Sequence, residues 1–422
     1  MRYHRTKLIH VLLSIILFTP VLAQETATRP EDIASAVNTI AADPALSQAL
    51  VGICIRTENG ETIAQRNPKM MLVPASNMKL ISTGAALHAL GGDYRYKTKI
   101  GYTGTIQDGT LEGDLYIIGG GDPTTGSLDS IAFRLSTTFS QWEKIVRDAG
   151  IRNINGHIIG DGRWAEGMAE EASWSWQDIG TYYGTGVTGL MFYENMLSYI
   201  ATPGKEEGTP VEFKAHYPET PWMAIRNEAM TGKAGIGDET YLYTSEFAPV
   251  AAIRGEYGLN RGRKRVDFSN KFPEYTLATY FEKHLKGKGI SCSKGAADFR
   301  LKQDLNIKKA DYSQITIIGH TQSPSLRRIA FSTNHISNNV FAETLLRTLG
   351  REMTGSACYD SAYVALGDIF KELGVALKGA DIQDGSGLSR QNYVSAEFFC
   401  RFLEAMMSSP HFEEYAASLP SP

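Results

Sequence analysis

The sequence is poor in the patterns that metal and redox chemistry need. Its four cysteines, Cys54, Cys292, Cys358 and Cys400, show no Cys-x-x-Cys spacing, and its nine histidines form neither His-x-His nor His-Glu-x-x-His. Zinc knuckles, dithiol redox centres and helix-borne zinc hydrolases are therefore without a ligand pattern, and no cofactor is implied. Scattered in this way, the cysteines read as single buried thiols, although an oxidising compartment would permit disulfides. A positive surplus is lacking too: 42 Lys and Arg face 46 Asp and Glu, a net charge of -4, which argues against a nucleic-acid partner. No Gly-Lys-Ser or Gly-Lys-Thr follows Gly119-Gly120-Gly121-Asp122-Pro123, so that run reads as a tight turn and not as a phosphate cradle.

What is present begins at the N-terminus. Arg2, Arg5 and Lys7 precede an apolar run from Leu8 to Phe18, and Val21 and Ala23 supply the small residues of a cleavage site. The run falls short of the about 20 residues of a spanning helix. Residues 1–23 are thus expected to be a signal peptide, with a mature chain beginning near Gln24 and no transmembrane span once it is removed.

Pro30, Glu31 and Asp32 suit a helix start, and Ile33, Val37, Ile40 and Ala41 follow at helical spacing. Val51–Thr57 and Glu61–Arg66 read as two strands joined through Glu58-Asn59-Gly60, a hairpin turn sequence. A buried helix is predicted over Asn77–Leu90, stopped by Gly91-Gly92. Strands are expected over Tyr96–Tyr102, Leu111–Ile118 and Gly156–Gly160, and helices over Leu128–Ala149, Ser337–Leu349, Ser361–Leu373 and after Ser395. The stretch from Trp164 to Asp267 is rich in turns and aromatics and resists assignment.

Ser76-Asn77-Met78-Lys79 sets a hydroxyl and an amine one helical turn apart on one face. A serine is a weak nucleophile until a neighbour takes its proton, and lysine does so only when neutral. At pH 7, neutralising an amine of ordinary pKa costs about 4.6 kcal/mol, so burial must lower that pKa. Ser337-Asn338-Asn339 offers a second hydroxyl to relay a proton and an amide, that of Asn339, to hold a substrate carbonyl. Either motif alone is also an ordinary helix cap. Ser-x-x-Lys with a Ser-x-Asn element is the pairing of serine β-lactamases and penicillin-binding proteins.

At these residues the chain resembles the D-Ala-D-Ala carboxypeptidases and endopeptidases among the low-molecular-mass class C penicillin-binding proteins. Further marks are Pro74 to Leu80, Gly113 to Pro123, Trp174-Ser175-Trp176-Gln177-Asp178, Tyr182-Tyr183-Gly184, Glu194-Asn195 and Asp384 to Arg390. Ser386 lacks a Gly-x-Ser-x-Gly elbow, and its loop reads as a turn near the cleft. Trp174 and Trp176 read as core packing in preference to sugar-stacking rings. Ser76 and Ser337 lie 261 residues apart, far more than one compact helical domain needs. The resemblance implies an α+β fold: a β-lactamase/transpeptidase-like catalytic domain, antiparallel sheet with helices, carrying two inserted β-rich domains. Its implied borders are a catalytic part over 24–95, a first inserted domain over 96–165 and 256–290, a second over 166–255, and the remaining catalytic part over 291–422.

The resemblance further implies that Ser76 is acylated, Lys79 is its base, Ser337 relays the proton and Asn339 holds the substrate amide. It assigns Asp161 to the diamino acid side chain of the peptide. Peptidoglycan stem peptides and β-lactam antibiotics are the implied partners and the periplasm the implied compartment. Members also carry a Lys-Thr-Gly strand, and neither that triplet nor Lys-Ser-Gly or His-Thr-Gly occurs in the 422 residues. The chain is therefore expected to stop before that strand and to have doubtful activity. A β-lactamase, a non-catalytic peptidoglycan-binding protein and an inactive fragment are the alternatives.

Overall fold

The computed structural model describes residues 29–299 and 310–420; the expected signal peptide lies outside them. None of the helices in the described residues is long and apolar enough to cross a membrane. The chain divides after Pro68 into two compact units. In the first, helix α1 (Pro30–Ala41) starts on a proline with Glu31 and Asp32 in its first turn, where acids favour the positive end of the helix dipole. It packs on the second strand of the Ile53–Arg56/Thr62–Arg66 hairpin, whose turn needs Gly60 at φ +80°.

The second unit holds the remaining helices: α2 (Met78–Leu90), α3 (Leu135–Asp148), α4 (Pro273–Gly287), α5 (Leu326–Ile336), α6 (Asn339–Thr354), α7 (Tyr359–Glu372), α8 (Ala396–Met406) and α9 (Phe412–Ser418). One core is helical. α2 runs through it with Met78, Ile81, Ala85, Ala86 and Leu87 buried among Phe341, Leu345, Phe398, Phe402 and Tyr415. Small residues let the neighbours approach: a methyl on Gly84 would sit 2.9 Å from the Phe402 ring.

A second core lies on one face of a five-stranded sheet ordered Ala296–Asp298, Ile158–Asp161, Leu115–Ile118, Lys97–Tyr102 and Thr316–Gln322. α3 and α4 cover that face through Phe139, Trp142, Leu277 and Phe281. A third core, around Leu242, Ile253, Tyr257 and Phe268, fills the strands between Met196 and Ser269.

Strand pairing does not follow the borders that the resemblance implies. Lys264–Ser269 pairs with Met196–Thr202, in the segment assigned to the other inserted domain, and Thr316–Gln322 pairs with Lys97–Tyr102 although it lies beyond residue 291. The expected strand Leu111–Ile118 is interrupted at Gly113, where any side chain would meet the Thr103 carbonyl at 1.9 Å. The helix expected from Leu128 begins only at Leu135, after a turn. The four cysteines are half-buried, not buried. The glycine run after Ile118 is explained by packing. Side chains on Gly119 and Gly120 would strike the carbonyls of Gly189 and Lys97, at 2.0 and 2.3 Å.

Candidate active site

A single 3-10 turn, Ala75–Asn77, leads into α2 and leaves Ser76 exposed while Lys79, one turn on, is only 2% exposed. Ala75 takes φ +49°, a left-handed conformation costly for a residue with a side chain, and such strain persists only where the surroundings enforce it. The turn Asp384–Arg390 does so. Gly387, at φ +83°, lies so close that a methyl there would fall 1.7 Å from the Ala75 carbonyl.

The same turn and α6 surround the amine. Lys79 Nζ lies 3.2 Å from Ser76 Oγ, 2.7 Å from Asn339 Oδ1 and 2.9 Å from the Ser386 carbonyl. As an ammonium it donates to all three. As a neutral amine its two N–H groups remain on the two carbonyl oxygens, and its lone pair faces the Ser76 hydroxyl. Burial lowers its pKa to about 8, against the opposing pull of Glu343 and then Asp384. Ser337 Oγ donates to Ser76 Oγ at 3.0 Å. Ser337 closes α5 at φ +57°, so the chain reverses there and brings its hydroxyl to the start of α2.

Behind this first layer stands a buried carboxylate. Glu343, one turn after Asn339 on α6, accepts the backbone N–H of Ser386 at 2.7 Å and that of Gly385 at 3.1 Å, which holds the Ser386 carbonyl toward Lys79. Burial, then Asp384, pushes its pKa up to about 8. Asp384 fixes the rest of the turn, accepting from Gly387 N, Ser389 N, the Asn392 amide and Trp174 Nε1. On the other flank, Tyr193, Glu194 and Asn195 all have positive φ. This tight bend lets Glu194 accept from Asn338 at 2.8 Å, and Asn338 caps α6 through Phe341 N. The Tyr183 carbonyl accepts the Asn339 amide at 2.9 Å, orienting its oxygen toward Lys79.

Glu343→Gln keeps the shape and removes a carboxyl whose ionised form raises the Lys79 pKa, so that pKa should fall. Any step in which neutral Lys79 takes the Ser76 proton should then have its rising inflection on the order of one pH unit below that of the parent near 8. Stopped-flow pH profiles measure both, and coincident inflections would disprove the coupling.

Four of the five residues predicted from sequence, Ser76, Lys79, Ser337 and Asn339, meet in one cluster. Asp161 does not join it. That carboxylate is fully buried on the strand Ile158–Asp161 and bound by Arg163, whose Nη2 lies at 2.7 Å, so reaching a substrate cation would cost it the guanidinium. Trp174 is buried, its indole N–H on Asp384, whereas Trp176 is 58% exposed and is not core. Glu343 is absent from the sequence-based expectations, and Asp384, Ser386 and Tyr183 stand there as marks of the resemblance without the roles found for them. An acid in the apolar run Val340–Leu346 was the one available signal for Glu343.

The chain as a whole is similar to known proteins. The chain is 27% identical over 430 residues to the D-alanyl-D-alanine carboxypeptidase of Actinomadura sp. (strain R39), covering 95% of this chain and 73% of that one. It is 25% identical to the penicillin-sensitive carboxypeptidase A of Dictyostelium discoideum, over 82% of this chain and 66% of the relative. The crystal structure of penicillin binding protein 4 from Haemophilus influenzae superposes with a TM-score of 0.72 at 19% identity, covering 88% of this chain and 79% of that one. The fold is thus the α+β, transpeptidase/β-lactamase-like one. With residues 33–421 matched by the family profile, the chain belongs to the D-Ala-D-Ala carboxypeptidase 3 (S13) family.

Proposed function

We propose that the protein is a serine D-Ala-D-Ala carboxypeptidase/endopeptidase that cuts peptidoglycan stem peptides through an acyl-enzyme on Ser76 and is acylated there by penicillin. The observation that carries this reading is the amine of Lys79, whose two N–H groups are occupied by Asn339 and Ser386 so that its lone pair is left to Ser76. With its pKa near 8, the cost of neutral Lys79 at pH 7 falls from about 4.6 to about 1.4 kcal/mol.

Ser76 Oγ attacks the carbonyl carbon between two D-alanines as its proton passes to Lys79 Nζ. The Ser76 backbone N–H donates to the developing oxyanion. The C–N bond then breaks while the proton moves, through Ser337 Oγ, to the departing amine. Water, giving its proton to the now neutral Lys79 Nζ, attacks the acyl carbonyl, and the ester bond to Ser76 Oγ breaks as Oγ takes a proton back. Asn339 holds the substrate amide. The basic start and short apolar run before Gln24 support export to the periplasm. The 422 residues hold no Lys-Thr-Gly to supply the second oxyanion amide that the resemblance implies, and one such donor is worth about 100- to 1,000-fold in rate.

Release of D-alanine from a soluble pentapeptide ending in D-Ala-D-Ala tests this reading. Release that is stopped by prior incubation with penicillin is expected. Release that penicillin leaves untouched would refute a shared acyl-enzyme.

A further inference from the structure

Away from the catalytic cluster, a cleft of about 600 Å³ opens between the outer face of the five-stranded sheet and the C-terminal end of α6. None of the cluster residues lines it. Arg351, on its wall, lies about 18 Å along α6 from Asn339 at 1.5 Å rise per residue.

Its charge is out of keeping with the chain. Arg95, Lys97, Lys99 and Arg351 line it against one carboxylate, Glu352, in a protein whose net charge is -4. Lys97 and Lys99 alternate with buried Thr98 and Ile100, so both side chains stand on the outer face of the sheet. Neither has an ion-pair partner among the described residues. Glu352 is engaged by the Tyr94 hydroxyl at 3.0 Å, and Glu166, which does not line the cleft, lies 3.8 Å from Arg351.

Tyr94, Trp164 and Tyr312 form aromatic walls. Tyr312 is braced by the Arg163 guanidinium, 4.2 Å from its ring centroid, and Arg163 is in turn held by Asp161. Asp161, displaced from the role first expected of it, thus serves to stiffen this wall. Cations of one sign in a concave site concentrate anions, and flat rings pack against the apolar faces of sugars. A glycan strand bearing peptide carboxylates offers both.

We propose that this cleft is a second binding site, for carboxylate-bearing strands of peptidoglycan, which holds the polymer while a stem peptide is processed elsewhere. The choice of polymer rests on the proposed function; the cleft itself does not.

The test is sedimentation of the full chain with insoluble peptidoglycan, alongside penicillin labelling. The parent should be retained at low salt and released as salt rises, since exposed charges are screened. Lys97→Glu with Lys99→Glu should weaken retention by about tenfold or more while the penicillin labelling rate and unfolding temperature stay those of the parent. Should that double variant fold poorly, Lys97→Gln with Lys99→Gln should give a smaller loss of the same kind. Peptidoglycan stripped of phosphate polymers should still bind; peptidoglycan with amidated carboxylates should not, and the reverse pattern would assign the cleft to phosphate and overturn the proposal. Retention equal in parent and both variants would overturn it as well. A parent that binds through these lysines yet forms no penicillin adduct would refute the catalytic reading and leave this one standing.

Discussion

Lys79→Ala is expected to lower the rate of penicillin acylation by on the order of 10⁴-fold, the upper range for loss of a positioned general base. Two effects combine. The Ser76 hydroxyl loses its proton acceptor at 3.2 Å, and Asn339 and the Ser386 carbonyl lose the group on which they converge. The substitution also leaves Glu343 and Asp384 in a buried site without their cation. Glu343, already pushed up to about 8, should rise further and stay protonated. A carboxyl whose folded pKa lies above its unfolded value binds more protons when folded, so stability is lost as pH rises from the unfolded pKa through the folded one. Parent and variant should therefore lose stability in parallel up to about pH 8, where the parent's Glu343 ionises, and the variant's deficit should grow from there toward pH 9. Thermal unfolding across that range measures it. A deficit independent of pH would mean that Lys79 does not compensate these acids.

Ser76→Ala should remove covalent labelling altogether and reduce D-alanine release by on the order of 10⁶-fold, the scale for loss of an activated serine nucleophile. Because Ser76 is exposed and donates no packing to the core, its unfolding temperature should match the parent's within the spread of surface substitutions. Loss of labelling with unchanged stability separates a nucleophile from a structural serine. Labelling that persisted in this variant would point to another hydroxyl, with Ser337 the nearest at 3.0 Å.

How much of this could be read beforehand depends on the range of each interaction. α2 was legible because its signals are local: Pro74 before it, an apolar face along it, and Gly91 at φ +75° closing it. The Ser76–Lys79 pair was legible for the same reason, being one turn apart. Lys79 and Asn339 are 260 residues apart, and only the family resemblance joined them. Backbone carbonyls carry no side-chain signature, so the acceptors at Ser386 and Tyr183 could not be seen. Among the strands, Asp238–Ser245 alternates in burial and was readable in principle, whereas Glu212–Tyr217 is mostly exposed and shows no such alternation. Asp161 misled because an acid in an inserted segment looks the same in sequence whether it faces a substrate or an arginine two residues on.

The most direct test of the central claim is peptide mapping by mass spectrometry of the parent protein after incubation with penicillin. One adduct, on the peptide containing Ser76 and localised by fragmentation to that residue, is the predicted result; an adduct on any other residue, or none after prolonged incubation at pH 8, would contradict it.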